Sequence, residues 1–209
     1  MLFSSIVKCI EDRERLAATG GLSAYFYCLY REGSQHSLAP ILHSFIAQLC
    51  PDNYIPSPLQ NLYERHNRKF PPGVPSDDEL KETLLAMIDE LSTFDLPPKL
   101  HERNMFILID ALDELPLGTS RNQIIAFLDE LASRHISHLH ILATGRPESD
   151  ISLGLKSWDP PLLIDKSKVI EDMRLFVTSE MENDVELASK PVSTKEKIIH
   201  RLVDEGDGM

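Results

Sequence analysis

The stretch Met105-Phe106-Ile107-Leu108-Ile109-Asp110-Ala111-Leu112-Asp113-Glu114-Leu115 decides how this chain is read. Met105 to Ile109 is apolar without interruption, which suits a strand covered on both faces in a parallel sheet, because a half-exposed strand alternates with period two. Asp110 ends the run, and Asp113 and Glu114 follow it. In open parallel sheets, ligands bind beyond the carboxyl ends of the strands, so these carboxylates stand where chemistry is expected. A carboxylate at that point can hold hydrated Mg²⁺, and a second one a turn later can orient or deprotonate a water.

Outward from this strand, helical and extended patterns alternate. Upstream, Leu2, Ile6, Ile10 and Leu16 fit one face of a helix that Gly20-Gly21 stops. Leu22 to Leu29, rich in aromatic residues, reads as a strand. A helix with Pro40 in its first turn carries Ile41, Leu42, Phe45, Ile46 and Leu49 at helical spacing and ends at Cys50-Pro51. Pro51, Pro56, Pro58, Pro71, Pro72 and Pro75 mark a surface connection around a short helix near residues 59–67. Ser76-Asp77-Asp78-Glu79 fits a capping box ahead of Leu80, Leu84, Leu85, Ile88 and Leu91. Downstream come a helix from about Ser120, a strand over Leu139 to Ala143, a weaker strand over Pro161 to Ile164, and closing amphipathic helices. This alternation predicts βαβ crossovers and a single α/β domain, its parallel sheet flanked by helices on both faces.

The second informative strand end is Leu142-Ala143-Thr144-Gly145-Arg146-Pro147. Thr144 offers a hydroxyl, Gly145 permits a tight turn, and Arg146 can present its planar fork to a phosphate. Neighbouring strands lie about 4.8 Å apart, so Asp110 and Thr144 would face one small volume if their strands are adjacent. Each motif alone reads as ordinary capping and loop chemistry. Together, on consecutive strands of a βαβ unit, they favour a nucleotide site: the Walker B arrangement with an added acidic pair. The partner motif GxxxxGK[ST], whose amides cradle phosphates, has no match, because no glycine of the chain is followed by lysine.

Composition narrows the rest. The chain has 209 residues, 42% hydrophobic and 26% charged, with a net charge of −12 and an isoelectric point near 5.1. It is too apolar for disorder, has no run long enough to span a bilayer, and is too acidic for broad binding to nucleic acid or anionic membrane. The first residues lack the basic region of a signal peptide. Cys9, Cys28 and Cys50, each in apolar sequence, suggest reduced, buried thiols in a cytoplasmic protein. His135, His138 and His140 straddle a helix end and a strand start and read as surface or partly buried histidines, not metal ligands. The DxxD spacing does not fit a haloacid-dehalogenase phosphatase, GLSAY is not a serine-hydrolase elbow, and Trp158 reads as loop packing.

The segments LSAYFYCLY, LAPILHSFIAQL, ILIDALDEL and LATGRPESD, in this order and spacing, resemble the NACHT domains of STAND-class P-loop NTPases, particularly the nephrocystin-like modules of fungal receptor-like proteins. The resemblance implies a three-layer P-loop NTPase-like fold with the first strand and P-loop missing. Residues 1–165 would form a partial nucleotide-binding core and residues 166–209 a following helical segment. It also implies Mg²⁺ on Asp110, a nucleotide (ATP or GTP) contacted by Asp110, Thr144 and Arg146, and Asp113, Glu114 and Arg146 as catalytic groups, with Arg146 sensing the γ-phosphate. On this view the chain begins just after the Walker A lysine, so its nucleotide binding alone is weak or absent and ancestral hydrolysis is impaired. Expected partners are other NACHT or signalling proteins, with room for oligomerisation. The alternative is a non-catalytic interaction module derived from such a domain, with an open position in its sheet.

Overall fold

The computed structural model describes residues 2–16, 21–29, 37–52, 54–68, 73–92, 104–164 and 166–204. The chain forms two compact units, Met1–Asp159 and Pro160–Met209.

The first unit begins with α1 (Leu2–Leu16), β1 (Leu22–Tyr27), α2 (Leu38–Leu49), α3 (Ser57–Asn67) and α4 (Asp77–Leu91). It continues with β2 (Met105–Asp110), a helical turn at Leu112–Glu114, α5 (Thr119–Ser133), β3 (Leu139–Ala143) and α6 (Ser149–Gly154). The strands form one parallel sheet in the order β1-β2-β3. Tyr27 lies opposite Asp110, and Ile109 opposite Ala143. The unbroken apolar run is therefore the central strand, as its pattern requires.

One face of the sheet, through Ala24, Met105, Ile107 and Ile109, packs into a core shared with α2, α4 and α5. The other face, through Leu108, Tyr25 and Leu142, packs against Phe3, Val7 and Ile10 of α1. The helices thus cover both faces, as expected. On α1, however, the buried stripe is only partly the expected one: Ile10 packs against the sheet as expected, but Phe3 and Val7 join it in place of Leu2. Leu2 is exposed while Phe3 and Val7 are buried. Two stripes on that helix have helical spacing, and the one carrying the larger aromatic residue meets the sheet. The capping box forms as expected: Glu79 N donates to Ser76 Oγ and Ser76 N donates to Glu79 Oε2. That bond, with His66, holds the Glu79 carboxyl below its ordinary range.

The two sheet edges differ. At β1 the outward backbone of Tyr25 is capped by a side chain: Tyr25 N donates to Gln48 Oε1 (3.1 Å) and Gln48 Nε2 donates to Tyr25 O (2.9 Å). At β3, His138 and Thr144 bond towards β2, so alternation turns the backbone of Ile141 and Ala143 away from it. At this edge Leu139 N donates to Ile136 O (3.1 Å), and among the described residues no further strand pairs with β3. The outward backbone of Ile141 and Ala143, with no strand beside it among the described residues, is a template for further pairing.

The second unit contains α7 (Lys166–Asn183), α8 (Val185–Ala188), α9 (Val192–Ile199) and a final helical turn at His200–Asp204. The expected strand over Pro161 to Ile164 is not formed: the segment is unpaired and Leu162 is 96% exposed. Strand propensity cannot hold an isolated segment without a neighbour to complete its hydrogen bonds. Two sequence expectations, the helix stop at Gly20-Gly21 and part of the proline-rich connection, fall partly outside the described residues. Among those residues, no helix is long and apolar enough to cross a membrane.

Candidate functional site

Asp110 is the last residue of β2, and Thr144 is the first residue beyond β3. Because the strands are neighbours, the two meet. Thr144 N donates to Ile109 O (2.9 Å), and Leu112 N donates to Thr144 O (2.9 Å). The Thr144 hydroxyl accepts from Ala111 N (3.1 Å) and donates to Asp110 Oδ1. Ala111 is left-handed at φ 56°, a conformation that costs an L-residue about 1–2 kcal/mol. The Thr144 contacts hold it there, turning the chain sharply so that Leu112, Asp113 and Glu114 sit beside the end of β3.

Gly145 eases a close approach and is not there for a special turn. A Cβ at that position would lie 3.2 Å from Asp113 Oδ1 and 3.4 Å from the amides of Leu112 and Asp113. With no side chain there, Arg146 N donates to Asp113 Oδ1 (3.0 Å), and Arg146 Nε lies 3.4 Å from Asp113 Oδ2. The Arg146 side chain is 77% exposed while Asp113 is 13% exposed. Asp113 therefore anchors the Arg146 loop, and the guanidinium remains open to solvent. Glu114 is exposed and lines, with Asp113, Leu117, Arg121 and Arg146, a shallow hollow of about 380 Å³.

Sequence reasoning missed Arg121, one of the largest fully buried side chains of the described chain. It sits in the first turn of α5 and reaches both loops. Arg121 Nη1 donates to Leu115 O (3.2 Å), with Asp113 O at 3.5 Å, while Nη2 donates to Glu148 Oε2 (2.8 Å) and Asp150 Oδ1 (3.3 Å). Its Nε lies 2.9 Å from Asp150 Oδ2, in an ion pair without hydrogen-bond alignment. A signal existed: a cation in the first turn of a helix opposes the macrodipole and needs acidic company. Glu148 and Asp150 sit in the very motif that supplies Arg146.

Cys28 also belongs to this neighbourhood. Its amide donates to Asp110 O (3.0 Å). Burial, reinforced by the negative field of Asp110, Glu114 and Asp113, pushes the thiol up to about 12. The buried thiol expected for Cys28 is present, but Cys9 is exposed and Cys50 only half-buried. That corrects the expectation of buried thiols: Cys9 lies on the outer side of α1, where the neighbouring apolar residues face inward. Among the described histidines, His140 stacks on Phe106 with ring centroids 5.0 Å apart, and His135 is exposed. No group of three or more metal-binding side chains converges among the described residues. A hydrated Mg²⁺ does not require one, because it is commonly held by one or two carboxylates with substrate phosphates. The oxygen donors of Asp110 and Thr144 suit such a hard cation.

A family model described as Nephrocystin 3, N-terminal, matches residues 1–146. No curated protein and no solved structure matches the chain.

Proposed function

The chain belongs to the nephrocystin 3, N-terminal family, and from that membership we propose that the β2 and β3 strand ends form the Mg²⁺ and terminal-phosphate half of a nucleotide site in a NACHT-type switch. The supporting observation is the meeting of Asp110 and Thr144 across adjacent parallel strands, with Arg146 held by its backbone and its guanidinium exposed. When bound, Mg²⁺ would neutralise charge on the phosphates of ATP or GTP. Asp110 and Thr144 would supply its oxygen ligands, and Arg146 would receive the terminal phosphate through its fork. Asp113 is already engaged with Arg146, so it acts first as the anchor of that residue. Glu114, exposed and lining the same hollow, is the other carboxylate of the acidic pair that could orient a water.

Since the sequence carries no Gly-Lys pair for the inner phosphates, affinity is expected to be weak, with a dissociation constant on the order of 1 mM for Mg²⁺·ATP or Mg²⁺·GTP. An NMR titration reads it: shifts should centre on Asp110, Thr144 and Arg146 and vanish in Asp110→Asn. No response to either nucleotide, or binding indifferent to Asp110→Asn, would sink the proposal.

A second reading, a cytoplasmic interaction module, is favoured by the open β3 edge. It would pair with another NACHT or signalling chain, or with a second copy, by adding a parallel strand beside Ile141 and Ala143. Sedimentation over a range of concentrations tests the self-pairing form. A monomer throughout, with one cooperative unfolding transition of the first unit, counts against it.

A further inference from the structure

Arg121 carries a charge into a place where charge is expensive. Its side chain is 2% exposed, whereas its partners Glu148 and Asp150 retain 40% and 29% exposure. Burying a guanidinium costs several kcal/mol unless strong partners surround it. The two carboxylates and the carbonyls of Asp113 and Leu115 are those partners. The arrangement also connects separate parts of the chain. Asp113 and Leu115 flank the turn after β2, Glu148 and Asp150 belong to the segment after β3, and Arg146 lies between Thr144 and that acidic pair.

The local charge balance is what gives the contact a role beyond packing. Glu148 N donates to Arg146 O (2.8 Å), so Arg146 and Glu148 sit on one tight bend. Were Glu148 and Asp150 not neutralised from α5, Arg146 would be the cation nearest them in sequence. Opposite charges on so tight a bend attract one another, the more so when neither has another partner. Arg146 would leave Asp113 and turn back on its own loop.

We propose that Arg121 is a positioning residue for Arg146: by occupying Glu148 and Asp150 it keeps the Arg146 guanidinium on Asp113 and available to an anion. The anion rests on the nucleotide reading above; the positioning does not. The role is electrostatic, which separates it from simple space filling. Removing the guanidinium should misplace Arg146, and removing the two carboxylates along with it should return Arg146 to its place.

Hydrogen exchange of the Arg146 amide, which donates to Asp113, tests this in the full chain. Arg121→Gln is expected to lower its protection about tenfold, while the triple variant Arg121→Gln/Glu148→Gln/Asp150→Asn regains the wild-type value. If Arg121→Gln does not fold, Arg121→Lys serves instead. It keeps the charge without the fork that reaches both loops, and should lose part of the protection. Wild-type protection in the single variant, or a triple variant as defective as the single one, overturns the proposal. A parallel Mg²⁺·ATP titration separates the two claims. Exchange behaving as stated with no ATP response from the wild type would remove the nucleotide reading and leave the positioning role. ATP binding at wild-type strength in Arg121→Gln would remove the positioning role.

Discussion

Phe45→Ala is expected to lower the unfolding free energy of the first unit by about 3–5 kcal/mol. Phe45 lies on α2 with none of its side chain exposed, in the core that α2 and α4 build on the sheet face of Ala24, Ile107 and Ile109. Truncation removes most of an aromatic ring from that core and leaves a cavity. A close-packed core collapses only partly around such a cavity, so the cavity cost adds to the lost transfer free energy. Denaturant titration measures the effect, and Leu162→Ala supplies the contrast. Leu162 is almost fully exposed, so its loss should change stability by no more than about 0.5 kcal/mol. A cost below about 1 kcal/mol for Phe45→Ala would mean that α2 does not seat on the sheet as described.

The second large effect is a loss of stability at alkaline pH that depends on Cys28. The thiol is raised from 9.0 to about 12 in the folded chain, first by burial and then by the carboxylates of Asp110, Glu114 and Asp113. Below pH 9 the thiol is protonated in both states and its contribution to stability is fully present. As the pH rises from 9 towards about 12, the unfolded chain releases its proton first and folding becomes less favourable. The native state thus loses on the order of a few kcal/mol across that window. Cys28→Ala removes this component, and the difference between the two stability curves isolates it from lysine and tyrosine titration. Curves that stay parallel from pH 8 to 12 would show that Cys28 does not sit buried against the acidic cluster.

Much of the site was legible in the sequence because its signals are local. The apolar run ending at Asp110 identified a central strand, and the motif after Ala143 identified the neighbouring strand end. Their meeting needed one further fact, the adjacency of β2 and β3, which short βαβ crossovers favour. Glu79 and Ser76 likewise announced a helix start at a spacing of three residues. Arg121 escapes a sequence reading because its carboxylate partners lie 27 and 29 positions away, with nothing at helical or strand spacing to join them. The inner face of α1 is only partly legible, through Ile10, because Leu2/Ile6 and Phe3/Val7 have equal periodicity and only the surface opposite selects between them.

Sequence alone determined the alternation of strands and helices, the burial of the central strand and the placing of Asp110, Thr144 and Arg146 at strand ends, since period, capping and chain reversal act over a few residues. Tertiary structure decided which face of α1 is buried, that Asp113 anchors Arg146, that Arg121 balances Glu148 and Asp150, and that residues 161–164 remain unpaired. Those outcomes depend on which distant groups share a low-dielectric space or an unfilled hydrogen-bond ladder. Long-range electrostatics and strand pairing carry no local period from which they could be read.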